Sequence, residues 1–126
     1  STDILLPAVG QGSLAILCRA EDLEMREFLS CMEDRDSMLA ARAERSLMRT
    51  LEGGCQVPIG AHATVSETGI SLAGCVCSLD GHRLVRDSVS TGPGGDPGEP
   101  GARLAEILLE NGARGILREI FGKDSR

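Results

Sequence analysis

The spacing of apolar and polar residues changes along the chain, and each change marks an element. Residues 3–9, DILLPAV, form a short apolar run interrupted by Pro7, and Gly10-Gln11-Gly12 follows. SLAILCR (13–19) is again short, continuous and apolar, which predicts a second, buried strand. Pro7, Gly10 and Gly12 between the two runs predict a bend or crossover. From Glu21 to about Met32 the chain is polar and helix-prone, with Leu23, Phe28, Leu29 and Met32 on its apolar side. SMLAARAERSLMRTL (37–51) carries the clearest helical pattern, with Ala40, Ala43, Leu47 and Leu51 on one stripe and Arg42, Arg45 and Arg49 off it. Asp36 is placed as its N-cap, Gly53 as the left-handed residue that ends it, and Gly54 as slack beyond.

The period then shortens to two. IGAHATV (59–65) alternates, with Ile59, Ala61, Ala63 and Val65 on one face; ISLAGCVCS (70–78) follows through Glu67-Thr68-Gly69. Asp80-Gly81 is a hairpin signal leading into RLVRDSVS (83–90), so a three-stranded antiparallel meander is expected. GPGGDPGEPG (92–101) is read as a loop, because its prolines and glycines cannot continue a ladder. ARLAEILLE, a break at Asn111-Gly112 and a last piece ending ILREIF supply two more apolar stripes, Leu104/Ile107/Leu108 and Ile116/Leu117/Ile120. The fold class is α+β, a small antiparallel sheet with helices over one face.

Composition narrows what such a fold could do. The 126 residues are 41% hydrophobic but only 2% aromatic, so one aliphatic core is expected and stacking on exposed bases is not. Nineteen acidic against thirteen basic residues give a formal charge of −6, which argues against a nucleic-acid partner. No apolar run approaches the ~20 residues of a bilayer span and no signal peptide opens the chain. Five cysteines, an odd number, point to reduced thiols and a cytoplasmic setting. Cys75-x-Cys77 lacks zinc-knuckle spacing, and His62 and His82 complete no ligand pattern, so no metal is assigned. The chain opens on Ser1 instead of Met and is read as a piece of something longer.

Four cysteines, Cys18, Cys31, Cys75 and Cys77, sit inside periodic segments and are read as small buried hydrophobes. Cys55 lies outside any periodic run, in LEGGCQVPIG (51–60), beside Gly54 and just before Val57-Pro58. Pro58 holds its predecessor extended and stiffens the loop exit, so the thiol is presented on a defined loop. A helix C-terminus and Glu52 precede it, and both disfavour thiolate. An attachment point modified once suits this setting better than a nucleophile used at every turnover. Gln11 is the other candidate. A glycine hinge is the default for Gly10-Gln11-Gly12, although the glycines would also let a ligand approach the Gln amide. Arg42, Arg45 and Arg49 are read as a solvated face, and His62 and His82 as surface residues of the sheet and its turn.

LPAVGQG (6–12), CRAED (18–22), AERSLMRTLEGGCQVPIG (43–60) and NGARGIL (111–117), in this order, resemble the porphobilinogen deaminases, also called hydroxymethylbilane synthases. The resemblance runs over nearly the whole chain and is weakest at 92–101. It implies a dipyrromethane cofactor thioether-linked to Cys55, with Gly54 beside the anchor and Gln11 and Gly12 near the cofactor and substrate pyrroles. It implies that porphobilinogen units add head to tail with loss of ammonia, and that hydrolysis releases the linear tetrapyrrole hydroxymethylbilane. It also implies that residues 1–34 are the hinge, strand and helix of upstream domains and that 35–126 are the C-terminal, cofactor-anchoring domain. The family's catalytic aspartate and most of its basic substrate-binding residues lie upstream, so no catalytic residue is expected in this stretch. The partners expected are porphobilinogen, the growing pyrrole chain and the upstream domains. A growing pyrrole chain is a polyanion, which a surface at −6 does not bind well; by itself this piece is expected to lack the cofactor and to be inactive. Two rivals remain open: a free-standing binding module with Cys55 an ordinary loop thiol, and a thiol-dependent enzyme pairing Cys55 with His62.

Overall fold

The computed structural model describes residues 5–51 and 58–124. In chain order they form α1 (Leu23–Ser30), α2 (Arg35–Thr50), β1 (Ile59–Ser66), β2 (Gly69–Cys77), β3 (Leu84–Thr91), α3 (Gly98–Leu108) and α4 (Arg114–Asp124). Glu52, Gly53, Gly54 and Cys55, and the roles expected of them, lie outside the described residues.

The three strands form the expected meander, in the order β1-β2-β3 with both pairs antiparallel. Alternation decides which face is covered. Ala61, Ala63, Ile70, Leu72 and Val76 are buried on one side, while Thr64 and Ser71, paired across β1 and β2, are exposed on the other. Leu47 and Leu51 of α2, Leu104 and Leu108 of α3, and Ile116, Leu117 and Ile120 of α4 close over the buried side as one aliphatic cluster. Neither Phe enters it, as the aromatic-poor composition requires. Each fully buried leucine contributes about 2 kcal/mol from apolar area removed from water.

Turn chemistry sets the register. Gly69 opens β2 at φ 127°, a conformation only glycine adopts easily, and a Cβ there would lie 1.8 Å from the Thr91 carbonyl oxygen. Between β2 and β3, the Ser78 hydroxyl and the His82 N–H both donate to one Asp80 carboxylate oxygen, at 2.6 and 3.0 Å. The Ser78 bond first and the His82 N–H second hold the Asp80 carboxyl below its usual range. Gly112, at φ 122°, turns the chain between α3 and α4 within the wide helical turn Leu109–Ala113, where the break was expected.

Several expectations are corrected. The N-cap of α2 is Asp34, which accepts the Ser37 N–H at 3.2 Å; Asp36 sits inside the first turn, where its charge suits the helix dipole. The loop at 92–101 is shorter than its composition suggests, because α3 begins at Gly98. Pro100 is tolerated there, since first-turn N–H groups have no helical partner, and the Asp96 carboxylate accepts the Gly98 N–H at 3.0 Å. Residues 13–19 are not a buried strand: they run as exposed irregular chain, with Leu14 98% and Leu17 92% exposed. A strand needs neighbours for its N–H and C=O groups, and no described residue pairs with this segment. The Glu21–Met32 stretch does contain α1, capped by Asp22, yet Leu23, Phe28 and Met32 are exposed and Leu29 only half-buried.

The cysteines divide in the same way. Cys18 and Cys31 are exposed, against the expectation of burial, because they lie on this uncovered part of the chain. Cys75 and Cys77 are half-buried on the sheet face that bears no helices. Burial pushes the Cys75 thiol up, more than the Gly60 backbone hydrogen bond and the Arg86 charge pull it down. At pH 8, iodoacetamide is therefore expected to modify Cys18 and Cys31 at least about tenfold faster than Cys75, since the thiolate is the reactive form. A peptide-resolved mass-spectrometric time course giving equal rates would contradict this.

Candidate functional site

The site is framed by the two chain ends that enter and leave residues 52–57. On the entry side, Leu51 is 2% exposed and donates its N–H to the Leu47 carbonyl at 3.0 Å, so α2 delivers the chain from a fixed point in the core. On the exit side, the Pro58 carbonyl accepts the Cys77 N–H at 3.0 Å, and β1 starts at the next residue. The described residues on either side of 52–57, Leu51 and Pro58, are thus both pinned to the domain. Cys55 and Gly54 themselves lie outside the described residues.

The hinge expected at residues 7–12 lies against the start of β1. The Ala61 N–H donates to the Pro7 carbonyl at 2.9 Å, and Ala8 forms an antiparallel bridge with Gly60. Gly60 allows this close approach: a Cβ there would stand tight against the Cys75 Sγ at 3.0 Å and the Leu6 Cβ at 3.1 Å, so the neighbours would have to give way. Leu6 is buried, and Val9 packs against the edge of the core. The chain then reverses. Gly10 and Gly12 take φ of 75° and 87°, the Gln11 N–H donates to the Ala8 carbonyl at 3.1 Å, and the Ser13 N–H donates to the Gly10 carbonyl at 3.1 Å. The Gln11 side-chain oxygen accepts the Ala8 N–H at 3.1 Å, so this amide braces the turn from an exposed position. Among the described residues, chain neighbours apart, no atom lies within 4 Å of a Cβ built at Gly10 or Gly12, so these glycines serve the backbone reversal.

Two of the four expected site residues, Gln11 and Gly12, are therefore brought beside the strand that leads out of the Cys55 segment. His62 is half-buried on the uncovered sheet face, paired across to Ala73, and His82 is exposed in the β2–β3 turn. Arg42, Arg45 and Arg49 are exposed along α2, as expected. Among the described residues, no group of three or more His, Cys, Asp or Glu is arranged to hold a metal ion, and no helix is long and apolar enough to cross a membrane.

One residue that the sequence reading passed over belongs to this site. Glu44 is 8% exposed, and its Oε1 accepts the Gly10 N–H at 3.1 Å across 34 residues of chain. A signal was available: Glu44 lies four residues after Ala40 and three before Leu47, inside the apolar stripe of α2, where a carboxylate calls for an explanation.

The family model described as "Porphobilinogen deaminase, C-terminal domain" matches residues 38–110. Among curated proteins, porphobilinogen deaminase of Synechococcus elongatus is 50% identical over 118 residues, covering 94% of this chain and 37% of that protein. The enzyme of the same name from Pelotomaculum thermopropionicum is 48% identical over 124 residues, 98% of this chain and 39% of the relative. That from Brevibacillus brevis is 46% identical over 125 residues, 98% and 40%. The chain spans about two-fifths of the length of these relatives. The matched region takes in most of α2, the whole sheet and α3, the elements that flank the Cys55 segment among them, and on these grounds the chain belongs to the porphobilinogen deaminase family and holds its C-terminal domain.

Proposed function

We propose that this chain is the cofactor-anchoring C-terminal part of an enzyme that joins porphobilinogen units head to tail into the linear tetrapyrrole hydroxymethylbilane, releasing ammonia at each addition. Cys55 anchors a dipyrromethane through a thioether, which supplies the fixed end on which the pyrrole chain grows. The observation that carries this reading is the family match across residues 38–110 with LEGGCQVPIG inside it.

The residues present fit such a group. A tether needs a thiol on a segment with fixed ends and free space nearby. Leu51 and Pro58 fix the ends, and no other described residue crowds Gly10 or Gly12 in the turn that follows the Ala8–Gly60 bridge. A thioether does not titrate, so a helix C-terminus that disfavours thiolate matters little once the bond exists. Gln11 keeps the hinge turn closed, and Gly12 leaves room beside it. Residues 13–32 belong with upstream domains, whose packing would cover Leu14, Leu17, Leu23 and Phe28. With six excess negative charges, this part is not the main surface for a polyanionic product, and by itself it is inactive.

Intact mass spectrometry of the full-length protein tests this reading. A dipyrrole-sized adduct that maps to Cys55 and disappears in Cys55→Ser is expected. An active enzyme whose Cys55 is an unmodified thiol would overturn it.

A further inference from the structure

The hinge turn is tied to both elements that flank the Cys55 segment. Through Ala8 and Pro7 it pairs with Gly60 and Ala61 at the start of β1. Through Gly10 it donates to Glu44 on α2, the helix that ends where the segment begins. Glu44 precedes Leu51 by seven residues, about 10 Å along the helix axis. Gly10 has a left-handed backbone, and no Cβ restrains it. The turn is therefore conformationally soft at the point where the Glu44 carboxylate holds it.

The Gly10 N–H is also a hydrogen-bond partner of a nearly buried acid. The ion pairs Arg83–Glu119 and Glu99–Arg103 form elsewhere on the domain and do not involve Glu44. A carboxylate at 8% exposure accepting one backbone N–H makes a charge-assisted hydrogen bond, stronger than a neutral one and directional. For mere packing on α2, an Ala or Leu would be the cheaper occupant of this stripe position.

We infer that Glu44 is a positioning residue: it fixes the hinge turn relative to the Cys55 anchor, and so fixes where the growing pyrrole chain stands against the domains upstream of the hinge. This rests on the reading proposed above. A hinge that wanders lowers the correctly placed fraction at every addition, and such losses multiply over successive additions. Short, unfinished chains should then accumulate on the protein, while binding of the small incoming monomer is little affected.

The test uses the full-length protein and porphobilinogen, comparing the parent with Glu44→Ala and Glu44→Gln. Gln keeps an oxygen able to accept the Gly10 N–H, whereas Ala does not. Ala is expected to lower kcat about tenfold with KM changed less than about twofold, and Gln to stay within about threefold of the parent. In a quenched mass spectrum, the Ala variant should carry mostly shorter pyrrole chains than the parent at equal folded fraction. Equal impairment by Ala and Gln would overturn the assignment. So would a loss that follows thermal stability alone, with the distribution of chain lengths unchanged. A parent protein with no pyrrole chain on Cys55 overturns the proposed function and this inference together, whereas a normal distribution in both the parent and the Ala variant overturns this inference alone.

Discussion

Full-length protein carrying Cys55→Ser is expected to turn over porphobilinogen at least about a thousandfold more slowly than its parent. The proposed anchor is a bond to sulfur. A free thiol near neutral pH is a few per cent thiolate and strongly nucleophilic, whereas a serine hydroxyl at the same place is scarcely ionised and needs a general base. His62, the histidine nearest in sequence, sits on the uncovered face of β1 opposite Ala73. In the polypeptide the exchange changes one atom between two pinned positions, Leu51 in the core and Pro58 bonded to Cys77; what it removes besides is the proposed dipyrromethane. The far-ultraviolet circular-dichroism spectrum should match the parent's at the assay temperature, so that the lost rate reports the missing tether and not an unfolded chain. The rate is read as ammonia and tetrapyrrole released per enzyme at saturating porphobilinogen. Serine supporting the parental rate would remove the covalent tether from the account.

Gly101→Ala is expected to lower stability by about 2 kcal/mol or more and the melting temperature by roughly 6–12 °C. Two effects oppose each other. Alanine gains about 1 kcal/mol over glycine in a helix interior. The new methyl, however, would stand 2.6 Å from the Ala43 carbonyl oxygen, the Leu47 backbone nitrogen and the Ser46 Cβ. Two of these three are backbone atoms of α2, which no rotamer change can move aside. The helices must separate, loosening Leu47 against Leu104 and Leu108 and stretching the 2.6 Å bond from the Ser46 hydroxyl to the Gly98 carbonyl. Overpacking therefore wins. Gly115→Ala is the control: it lies on α4, is exposed, and has nothing within 4 Å of its Cβ, so propensity alone acts and stability should rise by up to about 1 kcal/mol. Thermal unfolding followed by circular dichroism checks both; a Gly101→Ala variant as stable as the parent would show that α2 and α3 are not in close contact here.

Where an element's signal lies within its own few residues, it was legible. The stripe Ala43/Leu47/Leu51, the alternation in β1 and β2, and the break at Gly112 all appear where the pattern put them. The segment 13–19 was misread because an apolar run resembles a strand whether or not neighbours exist to complete its hydrogen bonds. The start of α3 was hidden because proline and glycine mark loops in general but also suit a helix's first turn. Cys18 and Cys31 followed the fate of the segments that hold them.

By itself, then, the sequence determined the α+β class, the strand order, an aliphatic core and, through LEGGCQVPIG, the family and the cysteine to examine. The first three are written in composition or in spacing over a handful of neighbouring positions, and the last two rest on the resemblance of that motif. Only the tertiary structure decided that Glu44 would reach Gly10, that Gly60 would make room for Leu6, and that Gly101 would lie against the backbone of α2. These are contacts between distant parts of the chain. Glutamate and glycine carry no periodic mark of their partners, and their roles arise only when packing sets one element within a few ångströms of another.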